Sequence, residues 1–188
     1  MNRLHPAQEL AFRSFASPLG WLLLAASPEG LCLVHFCGSE PPSRETCKAL
    51  LKKDFLSTSA IFSPEQPLLR EAEQEITAYF QHRQPIPAFP LDLRVGTSFQ
   101  RQVWKALELI PFGETRSYLE VARSIGRHRA PRAVGQACGK NPILILIPCH
   151  RVVSANGGLG GFSSGLHLKK ALLALEQPKG LAGIKPRN

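Results

Sequence analysis

A thiol, an imidazole and a guanidinium follow one another at Cys149-His150-Arg151, directly after Pro148 and the aliphatic run Ile143-Leu-Ile-Leu-Ile147. A cysteine at the end of a buried, rigid segment is fixed in space, and nucleophilic displacement needs a fixed nucleophile. An ordinary thiol, with a pKa of about 8.5, is only a few per cent thiolate at neutral pH. A neighbouring imidazole and guanidinium, together with nearby helix N-termini, are expected to raise that fraction. Taken alone, the pair also fits a buried structural cysteine that happens to precede a histidine, because free Cys is among the most buried residue types.

The elements expected to hold this segment are short helices. Thr97-Ser-Phe-Gln100 has capping-box spacing and opens a helix that buries Phe99, Val103, Leu107 and Ile110, ended by Pro111 and Gly113. Ser117-Tyr-Leu-Glu120 is a second capping box, opening a helix from Tyr118 to Ile125 that Gly126 closes. Pro131 suits the first turn of a third helix, Arg132 to Cys138. Helix, short basic turn, helix is the layout whose second helix docks on DNA. That second helix, Arg132-Ala-Val-Gly-Gln-Ala-Cys-Gly139, is nearly all small residues. It suits close helix packing within the domain or close approach to a duplex, and it carries few side chains able to read base edges. The cluster Arg123, Arg127, His128, Arg129 and Arg132 favours a nucleic-acid surface.

Upstream, Ser17-Pro-Leu-Gly20 and Ser27-Pro-Glu-Gly30 read as turns flanking the strand-length apolar runs Trp21–Ala26 and Leu31–Cys37, hence an antiparallel hairpin or meander. Leu68, Ala72, Ile76 and Phe80 place a helical stripe between Glu65 and His82. The three prolines of Gln84–Pro90 end regular structure there and mark an interdomain linker. The fold class is therefore α/β (α+β), with a sheet-and-helix structural domain at 1–92, a helical DNA-binding domain at 93–178 and a flexible tail at 179–188.

Charge divides along the same line. Residues 1–100 carry 9 basic and 10 acidic side chains, whereas residues 101–188 carry 14 basic and 4 acidic ones. All of the excess positive charge lies in the second half, as expected if that half meets a polyanion. No apolar run approaches the roughly 20 residues of a membrane helix, and the N-terminus lacks the apolar core of a signal peptide. The five cysteines (Cys32, Cys37, Cys47, Cys138 and Cys149) are odd in number and contain no C-x-x-C pair, which fits free thiols in a reducing compartment. A soluble protein of the cytoplasm, or of the nucleus in a eukaryote, is expected. Cys32-x-x-His35-x-Cys37 with Cys47 suggests a metal site, but strand alternation places Cys32 opposite His35 and Cys37, so no metal is expected.

Between Gly96 and Glu176 lies a series of matching pieces: Gly96-Thr-Ser-Phe-Gln100, Pro111-Phe-Gly-Glu114, Ser117-Tyr118, Arg132-Ala-Val-Gly135, Gly139-Lys-Asn-Pro142, Ile147-Pro-Cys-His-Arg-Val152 and Gly160-Gly-Phe-Ser163. In order and spacing this series resembles the O6-alkylguanine-DNA alkyltransferase family, also called methylated-DNA–protein-cysteine methyltransferases. The resemblance implies a ribonuclease H-like N-terminal domain and a winged-helix-like C-terminal one. It implies single-turnover DNA repair, in which the alkyl group on O6 of guanine, and secondarily on O4 of thymine, passes to Cys149 after base flipping. In the family pattern His150 takes the thiol proton through a water, Glu176 orients His150, and Asn141 braces the active-site turn. Tyr118 contacts the flipped base and helps protonate the leaving group. Arg132 enters the duplex, with Ala133, Gly135 and Arg151 also on the DNA side. Val152, Ser163, Pro148 and Cys138 fall in the substrate pocket.

The implied partner is double-stranded DNA carrying alkylated guanine, bound through the minor groove and largely without sequence preference. No cofactor, no membrane and a monomeric state are expected. Two positions depart from the pattern: Phe162 stands where many relatives carry Tyr, and Cys138 stands where a bulkier apolar residue occurs elsewhere. The alternatives are a non-catalytic sensor of alkylated DNA, a helix-turn-helix transcription regulator, or a cysteine hydrolase. Sensors of this family lack the reactive cysteine, and a hydrolase has no use for the basic half.

Overall fold

A computed structural model describes residues 9–55 and 59–177. The expected tail at 179–188 lies outside the described residues. The chain forms two compact units. One runs as far as Gln81 and takes in Ile86–Val95; the other takes His82–Pro85 and the chain from Gly96 on.

The first unit is built on a four-stranded sheet in the order β3-β2-β1-β4. β1 (Glu9–Ser17), β2 (Gly20–Ser27) and β3 (Gly30–Gly38) form the expected antiparallel meander, turning at the two Ser-Pro-x-Gly tetrads. β2 is the inner strand of the meander and is buried from Leu22 to Ser27, which is why it reads as a continuous apolar run rather than an alternating one. α1 (Arg44–Asp54) and β4 (Ser59–Phe62) follow, and β4 pairs parallel to β1. Ser43 caps α1 by accepting from Thr46 N at 3.1 Å. α1 turns Cys47 and Leu51 into a cluster with Leu10, Phe12, Leu23 and Cys32. α2 (Pro67–His82) occupies the expected helical stretch, although Leu69 rather than Leu68 begins its buried stripe of Ala72, Ile76, Tyr79 and Phe80. Arg13 of β1 ties to α2 through an ion pair with Glu73 and donates to Pro64 O at 2.7 Å.

The proline-rich stretch is not a bare linker. Leu31 N donates to Pro90 O and accepts through its own carbonyl from Asp92 N, both at 2.8 Å, so the end of this stretch extends the β3 edge. The approach is close: a Cβ at Gly30 (φ 150°) would lie 2.3 Å from Pro90 O. Ser27 and Arg94 then bracket Asp92, with Ser27 Oγ and Arg94 Nη2 donating to Asp92 Oδ2 at 2.7 and 2.6 Å. Leu91 and Asp92 are thus held to β3, and the first unit takes in the chain to Val95.

The second unit contains α3 (Ser98–Glu108), α4 (Tyr118–Ser124), α5 (Pro131–Gly139) and α6 (Leu166–Glu176), with a two-residue parallel pairing of β5 (Arg116–Ser117) and β6 (Val152–Val153). Both capping boxes form: Thr97 with Gln100, and Ser117 with Glu120. Pro131 opens α5 as its first residue. Phe99 is only half-buried, and the large core residue of α3 is Trp104. Its Nε1 donates to Ala137 O of α5 at 2.9 Å, while a Cβ at Gly96 would lie 2.3 Å from its ring. α3 and α4 thus back α5, whose outward residues Arg132, Ala133 and Gln136 remain exposed.

Candidate active site

The segment before Cys149 is buried, as its composition predicts, but it is neither strand nor helix. Ile145 has φ 72°, and Leu146 N donates to Leu144 O at 2.9 Å, closing a three-residue turn. Ile147 N donates to Ile143 O at 3.0 Å, and Cys149 N to Ile147 O at 2.8 Å. Asn141 staples both ends of this turn. Its Oδ1 accepts from Ile143 N at 3.0 Å; its Nδ2 donates to Ile147 O at 2.8 Å and to Cys149 Sγ at 3.1 Å. The rigidity expected of a regular element comes instead from this turn and its asparagine.

Behind the sulfur lies a closed ionic group. Cys149, His150 and Arg151 form one 3-10 turn, and Glu176 at the end of α6 reaches it. His150 Nε2 donates to Glu176 Oε1 at 2.8 Å. Arg151 grips the same carboxylate from Nε to Oε2 at 2.8 Å and from Nη2 to Oε1 at 2.9 Å, while Nη1 donates to Ile110 O at 2.6 Å. Burial opposes charge on Glu176, yet the hydrogen bonds from His150 and Arg151 and the charge of Arg151 outweigh it, holding the carboxyl at about 2. With an ionised acceptor on Nε2, the imidazole proton sits there, and Nδ1 is an acceptor with no partner among the described residues. Burial lowers the His150 pKa against the pull of Glu176, so the ring rests neutral.

Two expectations are corrected here. The Cys149 thiol is not driven toward thiolate: burial pushes it up to about 11, and the Asn141 hydrogen bond and the Lys169 charge only moderate this. The guanidinium expected to help is already spent on Glu176. Arg151, expected on the DNA side, is 9% exposed with its donors turned inward.

Lys169 was not among the expected site residues, yet it is 0% exposed. Its ammonium donates to Val152 O at 2.6 Å, to Leu159 O, and to Gly161 O at 3.3 Å. All three donors are used on the chain that follows Cys149, so one cation sets the course of that loop. Burial lowers its pKa, while the sulfurs of Cys149 and Cys138 act in the other direction. Its position was readable in part: with Leu172 and Glu176 it shares one helical face, where a lysine has no solvent to reach.

Cys149 opens into a cavity of about 640 Å³ lined by Tyr118, Arg132, Gly135, Cys138, Ser154 and Phe162 among others. The Tyr118 ring stands between two glycines. A Cβ at Gly135 would touch it at 3.6 Å, and one at Gly160 would fall 2.6 Å from its hydroxyl. Burial raises the Tyr118 pKa, with Cys138 and Cys149 adding to the effect, so the phenol keeps its proton. The cavity thus joins Cys149, Tyr118, Arg132, Gly135 and Cys138. Val152 and Pro148 are buried outside its lining, Ser163 is exposed outside it, and Ala133 lies on the outer face of α5. No helix among the described residues is long and apolar enough to cross a membrane.

Known proteins share both halves of this architecture. Residues 98–178 match the model of the 6-O-methylguanine DNA methyltransferase DNA binding domain, and residues 10–93 match that of the ribonuclease-like domain. A methylated-DNA–protein-cysteine methyltransferase of Methanosarcina acetivorans is 44% identical over 163 residues, covering 86% of this chain and 95% of the relative. Its Mycobacterium bovis counterpart is 39% identical over 173 residues, covering 92% and 96%. Among solved structures, Mycobacterium tuberculosis OGT in complex with DNA superposes with a TM-score of 0.72 at 40% identity, covering 89% of this chain and 92% of that one.

Proposed function

Because the chain belongs to the 6-O-methylguanine DNA methyltransferase family, whose members repair DNA by moving an alkyl group onto one of their own cysteines, we propose that the accepting atom here is Cys149 Sγ. The observation that carries this is the placement of that sulfur. It lies in the lining of a cavity beside the basic helix-turn-helix, with a neutral histidine and its ionised partner directly behind.

O6 of a paired guanine faces its partner base, so a protein-held thiol reaches the alkyl carbon only after the nucleotide is extruded. Exposed Arg132, on the outer face of α5 and at the cavity, fills the gap left in the stack, a use of Arg that minor-groove proteins share. Sγ then attacks the alkyl carbon in line with the departing O6. A new S–C bond forms as the C–O bond breaks, and the electron pair goes to guanine. His150 Nδ1 takes the thiol proton through a water, and Glu176 stabilises the imidazolium that results. The Tyr118 hydroxyl donates toward the departing base. Asn141 holds the sulfur throughout, and the thioether formed has no ready leaving group, so each molecule reacts once.

A non-catalytic sensor or a transcription regulator is not favoured, since neither has a use for this relay. The reading places the protein with its DNA, in the cytoplasm or, in a eukaryote, the nucleus. The test is a duplex bearing one O6-methylguanine labelled in its methyl group. Stoichiometric label on Cys149, absent from Cys149→Ser, is expected; binding without label would leave only a sensor, and repeated turnover would require a hydrolase.

A further inference from the structure

The cavity contains a second sulfur. Cys138, near the end of α5, lines the same space as Cys149 and is buried except at that wall. Nothing in the alkyl transfer uses it. Cys149 is among the influences that keep Cys138 protonated, and the Lys169 ammonium acts on both. The remaining free cysteines, Cys32, Cys37 and Cys47, belong to the first unit, packed in or against its apolar cluster.

Two thiols facing one cavity from separate elements make a chelating pair of soft ligands. From the shared lining of Cys138 and Cys149 we infer that the cavity is a dithiol site for trivalent organoarsenicals, which bridge both sulfurs and withhold the nucleophile. Burial holds both thiols in their neutral form, Cys138 at about 12 and Cys149 at about 11. Oxidation to a disulfide proceeds through thiolate and is slowed by this. Condensation with an arsenoxide consumes the neutral thiols directly. Two As–S bonds form, two S–H bonds and the As=O bond break, and the oxygen leaves as water with no change in oxidation state. The apolar face of the cavity, where Leu119, Pro131 and Phe162 contribute, suits an aryl group on arsenic.

The inference needs both sulfurs to reach one arsenic atom, which their shared cavity wall and the electrostatic influence of Cys149 on Cys138 support; its consequence for repair rests on the function proposed above. The probe is phenylarsine oxide, at one equivalent, on the full chain. The expected product carries one phenylarsenic group in place of two thiol hydrogens. It maps to Cys138 and Cys149, survives excess glutathione, and is removed by 2,3-dimercaptopropanol. Cys138→Ser and Cys138→Val are each expected to lose the glutathione-resistant product, and protein first capped by O6-methylguanine DNA is expected to refuse it. A bridge between Cys37 and Cys47, or a product that glutathione strips, would overturn the inference. Failure of arsenic to bridge in protein that still accepts methyl sinks this inference alone. A bridged Cys138–Cys149 pair in protein that never accepts methyl sinks the repair reading alone.

Discussion

The two units bury cysteine in opposite company. In the sheet unit Cys32 and Cys47 lie among Leu10, Phe12, Leu23 and Leu51, and the buried polar pair, Ser27 with Asp92, is satisfied by itself and by Arg94. In the helical unit Asn141, His150, Arg151, Lys169 and Glu176 are all buried around the turn that holds Cys149 or the loop that follows it. Burial raises Cys32 to about 12 and Cys149 to about 11, so depth alone does not distinguish the two thiols. What distinguishes Cys149 is a buried neutral imidazole next to it in the chain and an ionised carboxylate paired with that imidazole. Burying ions costs several kcal/mol each unless they are paired, and among the described residues the second unit bears this cost around Cys149 and the loop that follows it.

The comparison breaks most sharply at Glu176. Glu176→Gln leaves the Arg151 guanidinium buried without its counter-charge, and a loss of about 3–5 kcal/mol in denaturant unfolding is expected. The same group gives the acid dependence. Its carboxyl is depressed from 4.5 to about 2, so its contribution is full above 4.5 and is lost as pH falls through about 2. In that window Glu176→Gln should show a flatter dependence of unfolding free energy on pH than the parent; parallel curves would remove the carboxylate from the account. Lys169→Met, which strands three carbonyls, is expected to cost about 3 kcal/mol. It should also slow methyl transfer, and unchanged kinetics would detach the loop from the pocket. Asn141→Ala removes the staple of the turn, for about 1–3 kcal/mol and a slower single-turnover rate. Smallest is Cys32→Ala, expected to cost about 1 kcal/mol with no change in transfer; a lowered rate there would erase the contrast between the units.

What the residues disclosed in advance was mostly local. Thr97/Gln100 and Ser117/Glu120 satisfy donors three residues away, so their helix starts are written in a four-residue window. Glycine turns at Gly20 and Gly30 are local in the same sense. β4 escaped because four residues are too short a window to establish an alternation, Ile61 points its apolar side chain to solvent, and the pairing with β1 is long-range. The attachment of the proline-rich stretch was not legible because prolines predict only the absence of regular structure, whereas Pro90 engages β3 through a carbonyl, which proline retains. At the site, Glu176 came from resemblance rather than spacing, since 26 residues separate it from His150. The pairing of Arg151 with Glu176 was likewise invisible in the linear chain, 25 residues separating them. Lys169 was passed over because a lysine ordinarily marks solvent.

Ile145 carries a consequence for the hold on the sulfur. A β-branched residue at φ 72° is strained by about 1–3 kcal/mol, a conformation that persists only while the surroundings enforce it. In an incompletely assembled chain this residue relaxes, the bend straightens, and the sulfur four positions on leaves its asparagine. The hold of Asn141 on the sulfur therefore lasts only while the packing around Ile145 keeps the bend in place.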